Sequence, residues 1–214
     1  MNRHGLSRWC ALRFGGLLAG LLLSGAVWAE PEFVEKLADR EVLQQLRQGG
    51  YVLYMRHGYT DNSKPDQVPV VLHDCSTQRP LTPAGRELAA SIGKTLRQAR
   101  IPVGEVFASP LCRTRESAEA AFGAKVRVNE RLMYTANLTQ AQKRPILAVT
   151  RQLLSAPVPL RQNRVVVAHA PNLFDLIGYF ITQEGTIVVI EPLGHNEFRY
   201  VASIPPAHWR ELLR

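Results

Sequence analysis

Hydrophobic residues in this sequence occur in two patterns, short unbroken runs and longer stretches with one apolar face. Four short runs are typical of buried strands, and they lie at residues 51–55, 103–108, 126–128 and 164–168. Apolar residues at helical spacing predict helices at residues 41–48, 83–99, 111–122, 140–154 and 173–180. Residues 187–190 and 198–203 predict a closing antiparallel pair of strands, and Pro205-Pro206 begins a short terminal helix.

The alternation of strands with helices predicts the fold class. Parallel strands need a crossover helix between them, and such helices cover both faces of the sheet. We therefore expect a three-layer α/β/α sandwich with a mainly parallel central sheet, in one domain. Residues 58–81 are polar and contain three prolines, so they are predicted to form a long loop, which in a compact domain is usually functional.

Composition adds one question to this picture. The chain of 214 residues is 46% hydrophobic and 21% charged, as in ordinary globular proteins, and its three cysteines are too few for a disulfide scaffold or a Cys-rich zinc module. The net charge of +8 is unusual. It is consistent with a polyanionic partner, a phosphorylated substrate or a basic tail. A nucleic-acid partner is not predicted, because the sequence has no basic run interleaved with aromatic residues and no recognition motif.

The first 29 residues have the pattern of a secretory signal peptide. Arg3, Arg8 and Arg13 precede an apolar run at residues 14–26, and small residues lead to a cleavage point after Ala29. The alternative is a membrane anchor, but the run is shorter than the ~20 residues that a spanning helix needs. We therefore predict a mature domain of residues 30–214 in the periplasm or outside the cell, without a stable membrane span.

Removal of this segment changes the charge and the cysteine count. It takes three arginines and no acidic residue, which lowers the net charge from +8 to +5. It also takes Cys10, so Cys75 and Cys112 remain as a pair in an oxidising compartment. This pair is a candidate disulfide, and two separate free thiols are the alternative.

Chemically reactive residues follow four of the predicted strands. In open α/β sheets, ligands bind beyond the carboxyl ends of the strands. The residues at these places are, in chain order, Arg56 and His57, Ser109 to Arg113, Asn129 and Glu130, and His169. Two arginines, two histidines and one glutamate at one sheet edge are a hypothesis for an active site.

At these residues the chain resembles the histidine phosphatase superfamily, with its phosphoglycerate mutase-like fold. The matching segments are Met55-Arg-His-Gly-Tyr-Thr60, Leu81-Thr-Pro-Ala-Gly-Arg86, Ser109-Pro-Leu-Cys-Arg-Thr-Arg-Glu-Ser-Ala118, Asn129-Glu-Arg131 and Val165-Val-Val-Ala-His169. The resemblance implies that His57 is the nucleophile and that Arg56, Arg113 and His169 hold the phosphate. It also places the proton donor at Glu130 and a substrate contact at Thr60, and it implies no metal and no other cofactor.

Physical chemistry agrees with these roles. A neutral imidazole can attack phosphorus and carry the phosphoryl group, and arginine forks match phosphate oxygens. The proton donor has alternatives, because Glu116, Glu119 or an acidic residue of the long loop can take the place of Glu130. Arg79 and Tyr134 lie in irregular segments and are further candidates for substrate contact.

The expected function is that of an exported, metal-independent phosphomonoesterase acting through a phosphohistidine. Tyr59 and Ser63 depart from the mutase pattern and favour a phosphatase. The expected substrate is a small phosphate ester or a glycan phosphate ester, such as a phosphorylated envelope sugar. The alternatives are a non-catalytic phosphate-ligand or envelope-binding module and a protein phosphohistidine phosphatase. The sequence does not indicate an oligomeric state.

Overall fold

Six strands form one sheet in the computed structural model, which describes residues 32–214. The predicted signal peptide lies outside the described residues. The strands are β1 (Val52–Arg56), β2 (Val103–Ala108), β3 (Val126–Val128), β4 (Asn163–Ala168), β5 (Ile187–Gly194) and β6 (Glu197–Ile204). The helices are α1 (Arg40–Gln48), α2 (Pro83–Gln98), α3 (Cys112–Phe122), α4 (Gln140–Ser155), α5 (Ala170–Ile177) and α6 (Trp209–Leu212).

The strand order across the sheet is β3-β2-β4-β1-β5-β6. The pairs β2–β3, β2–β4 and β1–β4 are parallel, whereas β5 is antiparallel to both β1 and β6. Of the six strands described, β5 is thus the one that runs against the others. This arrangement confirms both the mainly parallel sheet and the closing antiparallel pair that the sequence predicts.

Helices cover both faces of the sheet, which confirms the three-layer class. Along β1, Leu53 and Met55 pack into one hydrophobic cluster with α1, α2, α3 and α6, whereas Val52 and Tyr54 pack into a second cluster with α4 and α5. All four side chains are fully buried. The unbroken apolar run of this strand follows from burial on both faces.

Local caps set the ends of the helices. Thr82 and Thr139 cap α2 and α4 as the sequence predicts. The prediction for α5 was wrong by three residues at each end, because this helix begins directly after His169 and ends before Gly178. Gly178 adopts a left-handed conformation with φ of 73°, which stops the helix before the apolar residues that follow. No helix within residues 32–214 is long and apolar enough to cross a membrane.

Candidate active site

Three adjacent strands bring the predicted site residues together. Strands β2, β4 and β1 are neighbours in the sheet, and their carboxyl ends lie at the same edge. His57 follows β1, His169 follows β4, and Ser109 follows β2 just before α3 carries Arg113 to the same place. The structure therefore gathers side chains that are up to 112 positions apart in the chain.

His57 is buried and is held in one tautomer. Its Nδ1 lies 2.8 Å from the carbonyl oxygen of Gly58. A carbonyl only accepts hydrogen bonds, so Nδ1 carries the proton and Nε2 has a free electron pair. Burial, followed by the positive charge of Arg113, lowers the pKa of His57 to about 3. The imidazole is consequently neutral at physiological pH, the state that a nucleophile requires.

The loop after His57 is fixed by two helices. The Gly58 amide donates to Ser117 Oγ at 3.0 Å, and that hydroxyl donates to the carbonyl of Arg113 at 2.7 Å. A β-carbon on Gly58 would lie 2.2 Å from the carbonyl oxygen of Gly85 in α2. Only glycine permits this close approach, so α2 and α3 together set the position of His57.

His169 is fully buried, with its ring centroid 5.5 Å from that of His57. Its Nε2 lies 2.7 Å from Ser109 Oγ, whereas its Nδ1 is buried and has no hydrogen-bond partner in the chain. Burial, followed by the charge of Arg113, lowers the pKa of His169 well below its usual value. The side chain is therefore neutral, and Nδ1 is a buried polar atom that remains to be satisfied.

Arg113 is fully buried and supplies further unsatisfied donors. Its Nη1 donates to Asp66 Oδ1 at 2.8 Å, while Nε and Nη2 are buried without a partner. Its guanidinium carbon lies 5.4 Å from the centre of the Tyr134 ring. Burial lowers the pKa of Arg113, but the nearby carboxylate of Asp66 acts in the opposite direction.

Arg56, the residue before His57, is anchored by three hydrogen bonds. Its Nη1 donates to the carbonyls of Ile181 and Thr182 at 2.6 and 2.7 Å, and its Nη2 donates to Glu184 at 2.6 Å. These bonds use three of the five guanidinium hydrogens, so two remain for a ligand. Arg56 thus links the segment before β5 to the candidate site.

The long loop closes over this edge of the sheet. A disulfide joins Cys75 to Cys112, the residue just before Arg113. Gln78 is buried and accepts a hydrogen bond from the Cys112 amide at 2.8 Å. The next residue, Arg79, donates its backbone amide to Asp66 at 2.8 Å. The loop predicted at residues 58–81 is consequently tied to the start of α3.

A cavity of about 550 Å³ lies beside the cluster. Asp66, Arg79 and Tyr134 line it, and each of them contacts Arg113 or a residue bonded to it. The rest of the wall is mostly apolar and is formed by Asn62, Pro65, Val68, Pro69, Val70, Leu111, Met133, Ala136, Asn137 and Leu138. Its position beside Arg113 and its size suit the organic part of a substrate, to which the phosphate is attached.

Within residues 32–214, two of the predicted site residues, Glu130 and Thr60, form no hydrogen bond with the side chain of either histidine. Glu130 is exposed, and within residues 32–214 its side chain forms no ion pair. Thr60 pairs with Leu81 in an isolated bridge that closes the base of the long loop. In the described part of the chain, no three His, Cys, Asp or Glu side chains are grouped as metal ligands would be.

The sequence does not predict three contacts of the site, which join Asp66 to Arg113, Ser109 to His169 and Glu184 to Arg56. Asp66 is included only in the general alternative of an acidic residue in the long loop. Ser109 directly follows β2, so its position at a strand end was a usable signal. Asp66 and Glu184 lie in irregular segments, and no pattern in the sequence distinguishes them from other acidic residues. Arg115 is half-buried, and its Nη2 lies 3.1 Å from Cys112 Sγ.

Two neutral buried histidines, flanked by arginines with unsatisfied donors, define a phosphatase site of the histidine type. Residues 52–138 match the sequence model of the histidine phosphatase superfamily (branch 1). Over these 87 of its 214 residues, and in its phosphoglycerate mutase-like fold, the chain is similar to that superfamily. Among curated proteins, no sequence matches this chain.

Solved structures share the fold at low sequence identity. The protein histidine phosphatase SixA complexed with tungstate is 16% identical, with a TM-score of 0.52 over 73% of this chain and 97% of that chain. A putative α-ribazole-5'-P phosphatase from Escherichia coli is 17% identical, with a TM-score of 0.53 over 72% and 95%. A phosphoserine phosphatase mutant from Entamoeba histolytica in complex with phosphoserine is 13% identical, with a TM-score of 0.50 over 74% and 98%.

Proposed function

We propose that the protein is an exported, metal-independent phosphomonoesterase in which His57 carries the phosphoryl group. The observation behind this proposal is the state of His57, which is neutral, has Nε2 free, and lies among buried donors without partners. Those donors are Arg113 Nε and Arg113 Nη2, and His169 Nδ1 is a third in the tautomer in which Ser109 donates to Nε2. Phosphoryl transfer requires mainly positioning and stabilisation of charge on the phosphate oxygens, which these groups supply.

The proposed reaction has two steps. In the first, the electron pair on His57 Nε2 forms a bond to phosphorus while the bond to the leaving oxygen breaks. In the second, the oxygen of a water molecule attacks phosphorus, and the electron pair of the N–P bond returns to Nε2. The Gly58 carbonyl stabilises the positive imidazole ring of the intermediate because it accepts the Nδ1 hydrogen.

Asp66 is the proposed proton donor, in place of Glu130. Asp66 lines the cavity and accepts from Arg113 at 2.8 Å. A phosphate dianion bound beside His57 competes with Asp66 for the hydrogen bonds of Arg113. Protonation of Asp66 relieves the repulsion between the two anions. The protonated carboxyl then donates to the leaving oxygen, and the carboxylate takes a proton from water in the second step.

The proposed substrate is a phosphate ester, and a phosphorylated sugar of an envelope polysaccharide is the finer proposal. The side-chain amides of Asn62 and Asn137 line the cavity and offer hydrogen bonds to hydroxyl groups. Tyr134 offers an aromatic face on which the apolar side of a sugar ring can pack. Export is supported by the signal pattern of residues 1–29 and by the disulfide between Cys75 and Cys112.

Hydrolysis of an aryl phosphate in the presence of EDTA tests the catalytic proposal. We expect the purified protein to be active, and His57→Asn, which keeps a polar side chain of similar size, to lose turnover and the alkali-stable phosphoenzyme. Activity that survives in His57→Asn would contradict the mechanism. Phosphate binding without any turnover in the native protein would favour the alternative of a binding module.

A further inference from the structure

The charges around the two histidines are unequally compensated. Arg56 pairs with Glu184, and Arg113 pairs with Asp66. Arg79 is the third arginine beside the site, and it forms no ion pair with any carboxylate of residues 32–214. Because both histidines are neutral, the excess positive charge of the resting site resides on Arg79.

Arg79 is held in place by the loop rather than by a counterion. Its backbone amide donates to Asp66, and its Nη1 donates to the side-chain oxygen of Asn62 at 3.0 Å. The preceding residue, Gln78, is buried and bonded to Cys112, which the disulfide joins to Cys75. The neutral side-chain amide of Asn62 therefore orients this guanidinium, and no carboxylate of residues 32–214 forms an ion pair with it.

The Nε atom of Arg79 is buried and has no hydrogen-bond partner. Arg113 Nε, Arg113 Nη2 and His169 Nδ1 share this condition. The charge of Arg79 also contributes to lowering the pKa of His57 and of His169, consistent with a short distance to both rings. The buried unsatisfied groups around His57 thus come from Arg113, His169 and Arg79, and Arg79 belongs to the long loop at residues 58–81.

We propose that Arg79 binds the transferring phosphoryl group as a third guanidinium, and that its charge attracts the phosphate dianion to the site. This inference rests on the proposed function for the identity of the ligand. A dianion brings two negative charges to a site with one uncompensated positive charge, so Arg79 supplies the electrostatic attraction that the two paired arginines lack. The long loop at residues 58–81 thereby contributes directly to recognition of the phosphate.

The test is the binding of inorganic phosphate, measured by calorimetry in the absence of any substrate. We expect Arg79→Gln to raise the Kd for phosphate by about tenfold or more, the usual loss for one charge-assisted hydrogen bond. The Kd of this variant should also depend less on salt concentration than that of the native protein. Arg79→Lys keeps the charge without the fork and should recover part of this loss. Arg97→Gln removes the same charge from an exposed arginine of α2, bonded to the carbonyl of Ala121, and should leave the Kd unchanged.

The outcomes separate this inference from the proposed function. An unchanged Kd in Arg79→Gln would overturn the inference even if the native protein hydrolyses phosphate esters. Weaker binding of esters with unchanged binding of phosphate would also overturn it, because Arg79 would then contact the leaving group. Absence of turnover in the native protein, together with the expected change in Kd, would contradict the proposed function alone.

Discussion

The Ser109 hydroxyl lies 2.7 Å from Nε2 of His169, and it fixes which nitrogen of that ring is available to a ligand. A phosphate oxygen only accepts hydrogen bonds, so Nδ1 must carry the proton in order to bind it. When Ser109 donates to Nε2, the neutral ring has its proton on Nδ1. Ser109 is therefore a positioning residue that acts on phosphate through His169.

We expect Ser109→Ala to lower kcat/KM by about tenfold, because His169 loses the hydrogen bond that selects its tautomer. The readout specific to this role is the nitrogen NMR spectrum of the imidazole rings. In this spectrum the fraction of His169 that carries its proton on Nδ1 should decrease. Ser155→Ala is the control, since it removes a buried hydroxyl at the end of α4. A fall in activity without a change in tautomer would contradict the assignment.

The proton donor can be identified from the dependence of kcat on the leaving group of the substrate. Asp66→Asn should reduce hydrolysis of alkyl phosphates by a factor of about 100, a typical contribution of general acid catalysis, and that of aryl phosphates much less. An aryl oxide is the better leaving group and departs without a proton. The measurement is kcat for a pair of substrates that differ only in this group.

Glu130→Gln is the matched control, since Glu130 is exposed. We expect it to leave both rates unchanged. Equal losses on both substrates in Asp66→Asn would show that Asp66 positions Arg113 rather than donating a proton. A selective loss in Glu130→Gln would return the role to the residue that the family resemblance implies.

The positions of His57, His169 and Arg113 could be predicted because each depends on a local signal. A buried strand ends directly before each histidine, and Arg113 is the second residue of α3. No local signal in the sequence gives the order of the strands in the sheet. Glu130 also follows a strand, but β3 lies at the edge of the sheet, with two strands between it and β1. The ends of β2 and β4 therefore lie between a residue after β3 and His57, although the sequence pattern is the same.

The sequence predicts a functional long loop and offers Arg79 as a candidate contact, but it does not predict how the loop reaches the site. Asp66 and Arg79 reach the site because the loop folds back and is tied to α3 through Cys112. Such a path depends on contacts between segments distant in the chain, and hydrophobic periodicity describes only neighbours within one element. The candidate cysteine pair and the position of Cys112 next to Arg113 were visible in the sequence, but the contacts that join Asp66 to Arg113 and Arg79 to Asp66 required the fold.

Loss of the disulfide should affect both stability and substrate binding. Cys75 and Cys112 are 37 positions apart, and opening a loop of this length costs about 4 kcal/mol in the chain-entropy treatment. We expect the double variant Cys75→Ala/Cys112→Ala to lower the free energy of unfolding by about this amount. Because Asp66 and Arg79 lie on the same loop, KM should rise more than kcat falls. Urea unfolding and steady-state kinetics measure the two effects.

A reducing agent supplies the control for this experiment. It should reproduce the loss of stability in the native protein and have no effect on the double variant. A native protein whose unfolding and KM are insensitive to reduction would contradict the role of the bridge.

Stability should also decrease in acid because of the two buried histidines. In the unfolded chain a histidine binds a proton below about pH 6.5, whereas burial lowers the pKa of His57 to about 3 in the folded protein. The contribution is complete above pH 6.5 and is lost as pH falls toward 3, since only the unfolded state takes up the proton. The expected slope is up to about 1.4 kcal/mol per pH unit for each histidine.

Urea unfolding between pH 7 and pH 4.5 measures this slope. His57→Asn should reduce it, because the substituted side chain does not titrate, although other groups still contribute to acid unfolding. His195→Asn is the control, since His195 is exposed and asparagine tolerates its positive φ of 49°. Equal slopes in the native protein and in His57→Asn would mean that His57 is already protonated in the folded state at mildly acidic pH. That result would also remove the free electron pair on which the proposed attack at phosphorus depends.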